Sequence, residues 1–269
     1  MYTQITFHNI QPDIKDILIA ALQDDAEGFE EEAAHLKVIF LQDHFDEALV
    51  HQVAGTYHLS YEQNEIGEQN WNALWESNFD PVVVDDFVGI RAAFHQPVKN
   101  VRHEIIITPK MSFGTGHHAT TYLMMKQMGK TDFSNKTVFD FGTGTGVLAI
   151  LAKKLGAACT VASDIDEWSI ENAGENFEKN RTPDIKLVHS GTVVTSEKFD
   201  IILANINRNV LLDNSFLLAA QLNKNGRLLL SGILEEDEKI VTASYTQNGL
   251  TQALKTQKEK WICLVFNKT

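Results

Sequence analysis

Residues 137–164 read TVFDFGTGTGVLAILAKKLGAACTVASD. Five mostly apolar residues, Thr137 to Phe141, lead into glycines at 142, 144 and 146; apolar residues at helical spacing follow from Val147 to Leu155, and a second apolar run spans Cys159 to Asp164. The reading is strand, tight turn, helix, strand, and two strands joined through a helix run parallel. The alternation continues downstream with a helix at 168–180, strands at 186–189 and 199–204, a helix at 210–222, a strand at 226–231, a helix at 236–248 and a strand at 261–266. Short apolar strands alternating with amphipathic helices predict an α/β fold, a doubly wound, mostly parallel sheet covered on both faces. Such sheets bind ligands at the carboxyl ends of their strands, so functional residues should follow the strands directly.

The first such place is Asp140-Phe141-Gly142-Thr143-Gly144-Thr145-Gly146, where glycines let the backbone turn and approach a ligand without Cβ clashes. The details choose between cofactors. A dinucleotide fingerprint needs G-x-G-x-x-G, but residue 147 is valine. A phosphate-cradling loop needs G-x-x-x-x-G-K-[ST], and no lysine follows Gly146. Asp140, two residues before the first glycine, would sit badly beside a pyrophosphate and well beside a cation, directly or through water. S-adenosyl-L-methionine carries an ammonium and a sulfonium and no phosphate. Asp164 ends the second strand, 22 residues after Gly142, and is placed to accept hydrogen bonds from ribose hydroxyls, its competing role being a structural cap. Asp166 is expected at the start of the next helix, where a carboxylate favours the dipole. Asn205, emerging from the apolar strand at 199–204, is the catalytic candidate: a side-chain amide could orient an incoming amine without carrying charge, its bland alternative being a bond to its own turn. These features converge on a methyltransferase of the doubly wound class.

The front of the chain differs. Apolar spacing predicts a strand at 2–8 with Ile5 and Phe7 on one face, a helix from Pro12 through Ile14, Leu18 and Leu22, extended segments at 29–33 and 36–41, a helix at 45–53 and a strand at 57–61. That β-α-β-β-α-β order is a ferredoxin-like α+β pattern. The expected domains are therefore 1–62, a linker at 63–81 carrying Trp71, Trp75 and Phe79 at four-residue spacing, and 82–269, which opens with strands at 82–84, 88–90 and 104–107.

Charge follows the same division. The net charge is −13, yet residues 1–100 hold 4 Lys/Arg against 18 Asp/Glu, a balance of −14, and residues 101–269 hold 19 against 18. An acidic front repels phosphate and attracts basic partners, so no direct nucleic-acid binding is expected. With two cysteines, no signal-peptide pattern at the N-terminus and no apolar run of membrane-spanning length, a cytoplasmic monomer is expected. The adjacent His117 and His118 are not spaced as metal ligands, so no metal is expected; His118 reads as a hydrogen-bonding part of its loop or as a base.

On F-G-T-G-x-H-x-T-T (Phe113 to Thr121), D-F-G-x-G-x-G (Asp140 to Gly146), D-I-D (Asp164 to Asp166), A-N-I (Ala204 to Ile206), the aromatic linker through Pro81, and Ser231-Gly232-Ile233-Leu234, the chain resembles the PrmA family, the methyltransferases of the eleventh protein of the large ribosomal subunit. The resemblance spans nearly the whole chain. It implies a class I S-adenosylmethionine methyltransferase domain with a seven-stranded sheet behind a small recognition domain, methylation of lysine ε-amines and the N-terminal α-amine of that ribosomal protein, and cofactor contacts at Thr121, Gly142, Asp164 and Asn205, to which the loop reading adds Asp140 and Gly144. One departure is Asn207-Arg208-Asn209, more polar than the apolar continuation associated with many members. The competing readings are a same-fold methyltransferase acting on another protein or small-molecule amine, a non-catalytic S-adenosylmethionine-binding assembly factor, and an NAD-dependent oxidoreductase.

Overall fold

Ile5 and Phe7 share one face of the first strand and are fully shielded from solvent, as alternation along a strand requires when one side meets a core. The computed structural model describes residues 2–22, 25–31, 34–42, 45–66, 80–109, 118–192 and 197–269, in two compact units, Met1–Asn78 and Phe79–Thr269. The first runs β1 (Tyr2–His8), α1 (Pro12–Leu22), β2 (Gly28–Glu31), β3 (His35–Leu41), α2 (Glu47–Thr56) and β4 (Tyr61–Ile66). Its strands pair antiparallel in the order β2-β3-β1-β4, the expected split βαβ arrangement. Leu18 and Leu22 of α1 and Val50 of α2 pack with Leu36, Val38 and Phe40 against that face. Asp46 starts α2 by accepting from the Ala48 and Leu49 N–H groups at 2.9 and 3.2 Å.

The last strand of this unit lies later than its predicted place. Tyr57 closes α2 with its N–H donating to Val53 and Gly55 carbonyls, His58 has a φ of +53°, and Tyr57 and Leu59 reach the core from this turn. The apolar alternation at 57–61 is therefore a helix exit. The strand itself, YEQNEI, is a polar edge paired on one side to β1, so no apolar periodicity marks it. It occupies the front of the expected linker, and the aromatic stripe of Trp71, Trp75 and Phe79 lies outside the described residues.

The second unit opens with β5 (Val82–Val84), β6 (Val88–Ala92) and β7 (His103–Ile107), a small sheet in that order. Then come α3 (Ala119–Met128), β8 (Thr137–Phe141), α4 (Val147–Lys154), β9 (Cys159–Asp164), α5 (Glu167–Lys179), β10 (Lys186–His189), β11 (Phe199–Asn205), α6 (Arg208–Asp213), α7 (Ser215–Gln221), β12 (Leu222–Leu234), α8 (Glu238–Gln247), β13 (Leu250–Lys258) and β14 (Trp261–Lys268). The seven-stranded sheet has the order β10-β9-β8-β11-β12-β14-β13, parallel from β10 to β12 and antiparallel at β14 and β13. Alternate side chains feed two cores. Val138, Ala162, Ile201, Leu203 and Leu229 pack with α3, α4 and α5; Phe139, Val161, Ile202, Ala204 and Leu228 pack with α6, α7 and α8. The direction of winding reverses between β8 and β11, which opens a crevice at their carboxyl ends.

Three local readings change. The helix predicted at 210–222 is two, broken at Asn214, whose side-chain amide donates to the Val210 carbonyl at 2.9 Å. β12 runs past its predicted end, with an irregular register between Leu230 and Ile233. β13 has no counterpart in the apolar pattern, because LTQALKTQK is an edge strand whose one fully buried member is Leu250. At the irregularity in β12, Gly232 has a φ of +86°, and a Cβ there would lie 2.2 Å from the Ile206 carbonyl oxygen, whereas Gly249, at φ +82°, has nothing within 4 Å. Gly249→Ala therefore tests backbone strain alone and Gly232→Ala tests strain plus collision. In urea unfolding, Gly249→Ala should cost about 1 kcal/mol and Gly232→Ala about 2–4 kcal/mol. Equal losses would contradict the close approach of β12 to the Ile206 turn.

Candidate active site

The loop after β8 is held by its own backbone. Gly142 and Thr143 both donate N–H to the Ser163 carbonyl at 2.9 Å, and Gly142, Gly144 and Gly146 have φ of +74°, +53° and +81°, a region that glycine enters without steric cost. The Gly144 N–H donates to Asp164 Oδ2 at 2.8 Å, and the Asp166 N–H donates to Asp164 Oδ1 at 3.1 Å. The Asp164 carboxylate is thus aimed by the glycine loop on one side and its own turn on the other. Asp166 caps α5 as expected, accepting from the Ser169 N–H and hydroxyl at 2.9 and 2.7 Å.

A cavity of about 500 Å³ lies at the switch point. Of the sequence-predicted residues it brings together Thr121, Gly142, Gly144, Asp164 and Asn205, with His118 at one side. The Asn205 side-chain amide donates to Thr121 Oγ1 at 3.2 Å across 84 residues of chain. Its carbonyl, Oδ1, is buried and has no hydrogen-bond partner. Among the described lining residues Asp164 is the one carboxylate, and there is no lysine or arginine. Among the described residues no cluster of three or more His, Cys, Asp or Glu could hold a metal ion, and no helix is long and apolar enough to cross a membrane.

Asp140 is placed differently from its expected role facing a cofactor. It is fully buried beneath the loop, not on the cavity wall. Thr143 Oγ1 donates to its Oδ2 at 2.6 Å, and its Oδ1 has no partner. The reason is alternation: Asp140 points from β8 into the interior next to the turn, so its influence reaches the cavity through Thr143 and the loop. His118 is the N-cap of α3, its Nδ1 accepting from the Thr120 N–H at 3.3 Å and lying 2.7 Å from Thr120 Oγ1. Its ring meets Trp261 edge-on at 4.6 Å, and burial holds its pKa below the ordinary value against the opposing pull of Glu259.

The walls also include Ser190, Gly191 and Trp261, which the sequence reading passed over, and Ile165, Ile206 and Gly232, which it quoted only as members of motifs. Most of them follow a strand end, the very signal that singled out Asp164 and Asn205. Gly142 and Gly232 both face Ile206, whose Cγ2 would lie 2.2 Å from a Cβ at 142. A second omission is the row Asn172, Asn176 and Asn180 on α5, buried at four-residue spacing. Asn180 exchanges two hydrogen bonds with the Ile106 backbone, Asn176 accepts from the Thr108 N–H at 2.7 Å, and its amide donates to the Thr145 carbonyl of the glycine loop at 2.8 Å. The apolar spacing of α5 hides this row, because asparagines in a helix normally read as its solvent side.

Burial pushes the Asp140 carboxyl up to about 7, opposed by the Thr143 hydrogen bond and reinforced by the negative charge of Asp164. A carboxyl that holds its proton more tightly folded than unfolded contributes stability that is full below the unfolded value of about 3.9 and is lost as pH rises through about 7. The stability difference between wild type and Asp140→Asn should therefore shift against the wild type between about pH 4 and 7. Chemical denaturation at four pH values across that window measures it, and a constant difference would contradict the raised pKa.

A family model described as "Ribosomal protein L11 methyltransferase (PrmA)" matches residues 5–269. A Porphyromonas gingivalis protein named ribosomal protein L11 methyltransferase is 44% identical over 200 residues, covering 73% of this chain and 69% of its own. One of the same name from Bacteroides thetaiotaomicron is 34% identical over 276 aligned positions, covering 98% and 99%. The crystal structure of a ribosomal protein L11 methylase from Lactobacillus delbrueckii subsp. bulgaricus superposes with a TM-score of 0.66 at 32% identity, over 71% of this chain and all of that one. A Pyrococcus furiosus methyltransferase, 19% identical with a TM-score of 0.53, covers 61% of this chain and 89% of its own and shares the fold. By its sequence along nearly its full length, this chain belongs to the ribosomal protein L11 methyltransferase (PrmA) family.

Proposed function

We propose that this protein moves methyl groups from S-adenosyl-L-methionine to ribosomal protein L11, at lysine ε-amines and the N-terminal α-amine. The observation that carries the reading is the make-up of the cavity wall: Asp164, Thr121 and Asn205 around a glycine loop, with no lysine or arginine among the described lining residues. A dinucleotide or a nucleoside triphosphate would bring phosphate charge to a wall whose described residues offer a carboxylate and no cation. A cofactor with an ammonium, a sulfonium and a ribose fits the same donor set. Asp164 would accept from the ribose hydroxyls, Gly142 and Gly144 would allow close approach, and the buried, unpartnered Asn205 Oδ1 is an acceptor suited to an ammonium or an incoming amine. When bound, the cofactor supplies a methyl group on a positively charged sulfur.

The protein's part is to deliver a neutral amine. Lysine has an ordinary pKa near 10.4 and an α-amine about 7.7–8.0, and removal from water near a positive charge lowers both. Phe141, Ile206 and Trp261 form the apolar part of the wall that would exclude water, while the Asn205 amide, fixed by Thr121, would orient the nucleophile. His118 is poorly suited to act as the base. Its Nδ1 accepts the capping bond from Thr120, so the neutral ring carries its proton on the other nitrogen and presents a donor. Catalysis on this account is positioning and dehydration.

The N-terminal unit, with β4 as its last strand, is the substrate-recognition domain, and residues 82–269 carry out the transfer. Ribosomal proteins are basic, so the −14 balance of residues 1–100 would speed encounter with one over a screening length of about 8 Å. The same acidity leaves direct nucleic-acid binding unfavourable. The enzyme works as a cytoplasmic monomer.

Intact-mass analysis of ribosomal protein L11 incubated with the enzyme and S-adenosyl-L-methionine should show additions in whole methyl units. A protein that binds the cofactor and adds none would be a scaffold, contrary to this reading. Asp164→Ala should weaken cofactor binding by about 1.5–3 kcal/mol through loss of charge-assisted hydrogen bonds. Wild-type affinity in that variant, measured by calorimetry, would remove Asp164 from the ribose site.

A further inference from the structure

The segment Asn207-Arg208-Asn209 follows Asn205 and Ile206 directly. Arg208 Nη1 donates to Asp237 Oδ1 at 2.8 Å, and its Nε donates to Asn209 Oδ1 at 3.2 Å. Asp237 stands in the 3₁₀ turn Glu235–Asp237 after β12 and its side chain is only 10% exposed, whereas that of Arg208 is 47% exposed. The second carboxylate oxygen of Asp237 accepts from the Leu234 N–H at 3.2 Å. One almost buried carboxylate therefore holds the end of β12 with one oxygen and the start of α6 with the other.

We infer that Arg208 and Asp237 are positioning residues that lock the Asn205–Asn207 turn against the end of β12; the inference rests on the methyl-transfer reading, in which Asn205 orients the amine. The turn needs such a tie. Asn205 is the last β11 residue in register with β12, opposite Ser231. Beyond it the backbone of Ile206 passes within collision distance of any side chain at position 232, so the two segments meet there through bare backbone. Asn207 lines the cavity while capping α6 through the Val210 N–H at 3.0 Å. Arg208, next in sequence, is where the turn is fastened from outside. Breaking an ion pair with a nearly buried acid costs more than breaking an exposed one, since loss of the guanidinium strands a charge away from water.

The test compares Arg208→Gln, Arg208→Lys and Asp237→Asn with the wild type by steady-state methyl transfer to ribosomal protein L11, cofactor calorimetry, and hydrogen exchange of the backbone amides at 206–211. Arg208→Gln and Asp237→Asn should lower kcat about tenfold or more, because misplacement of an orienting group falls on the reactive geometry, while KM and cofactor Kd stay within about threefold. Arg208→Lys, which keeps the charge, should recover most of kcat. The 206–211 amides should exchange faster in Arg208→Gln than in the wild type. Unchanged kcat and exchange in Arg208→Gln, or a lysine variant as impaired as the glutamine one, would overturn the inference. If the wild type transfers no methyl group, the functional reading fails by itself, and exchange alone decides whether the pair fastens the turn.

Discussion

Everything at the carboxyl edge of the large sheet is arranged around one close contact: Ile206 lies between Gly142 and Gly232. A Cβ at either glycine would come within 2.2 Å of it, from the side chain at one and from the backbone carbonyl at the other. Three strand ends, of β8, β11 and β12, are thereby drawn together more closely than residues with side chains would allow. The cavity is the space this convergence leaves. It sets Asn205 next to Thr121 and brings the glycine loop against Asp164, so that groups from distant parts of the chain act on one volume.

The polar groups around that contact are held in graded degrees of burial. Asp140 lies deepest, with one oxygen satisfied by Thr143 and a pKa pushed up to about 7. Asp164 lies at the wall with both oxygens engaged by backbone N–H groups, which leaves lone pairs for a ligand. Asn205 is held by its amide and keeps its carbonyl unpartnered. A buried acceptor without a partner is costly unless a ligand completes it, and this one sits where the proposed chemistry needs an acceptor. The row of asparagines on α5 serves the same end from behind, tying the glycine loop and β7 to one helix.

Much of this was legible in the sequence, for reasons tied to particular residues. The alternation of Val138 and Phe139 between two cores follows from the strand period. Asp164 and Asn205 stand out because a polar side chain that ends an apolar strand either meets a ligand or fastens the turn that follows. What stayed hidden lacks an apolar signature. β4 and β13 are edge strands with mostly polar sequences, and the Asn172, Asn176 and Asn180 row resembles a solvated helix face until β7 is seen against it. Asp140 was legible as a member of the loop but not as a residue below it, because the distinction depends on which side of β8 the turn folds toward. Ile206 was legible only as the last residue of A-N-I, since its role comes from the two glycines that face it from 64 and 26 residues away.

The described wall of the cavity suits a cationic nucleoside without phosphate. Isothermal titration calorimetry of the full chain with S-adenosyl-L-methionine, NAD and ATP, run side by side at one ionic strength, tests it most directly. Saturable heat is expected with S-adenosyl-L-methionine and none with the two phosphate-bearing ligands. Saturable binding of NAD or ATP, with no heat from S-adenosyl-L-methionine, would contradict it.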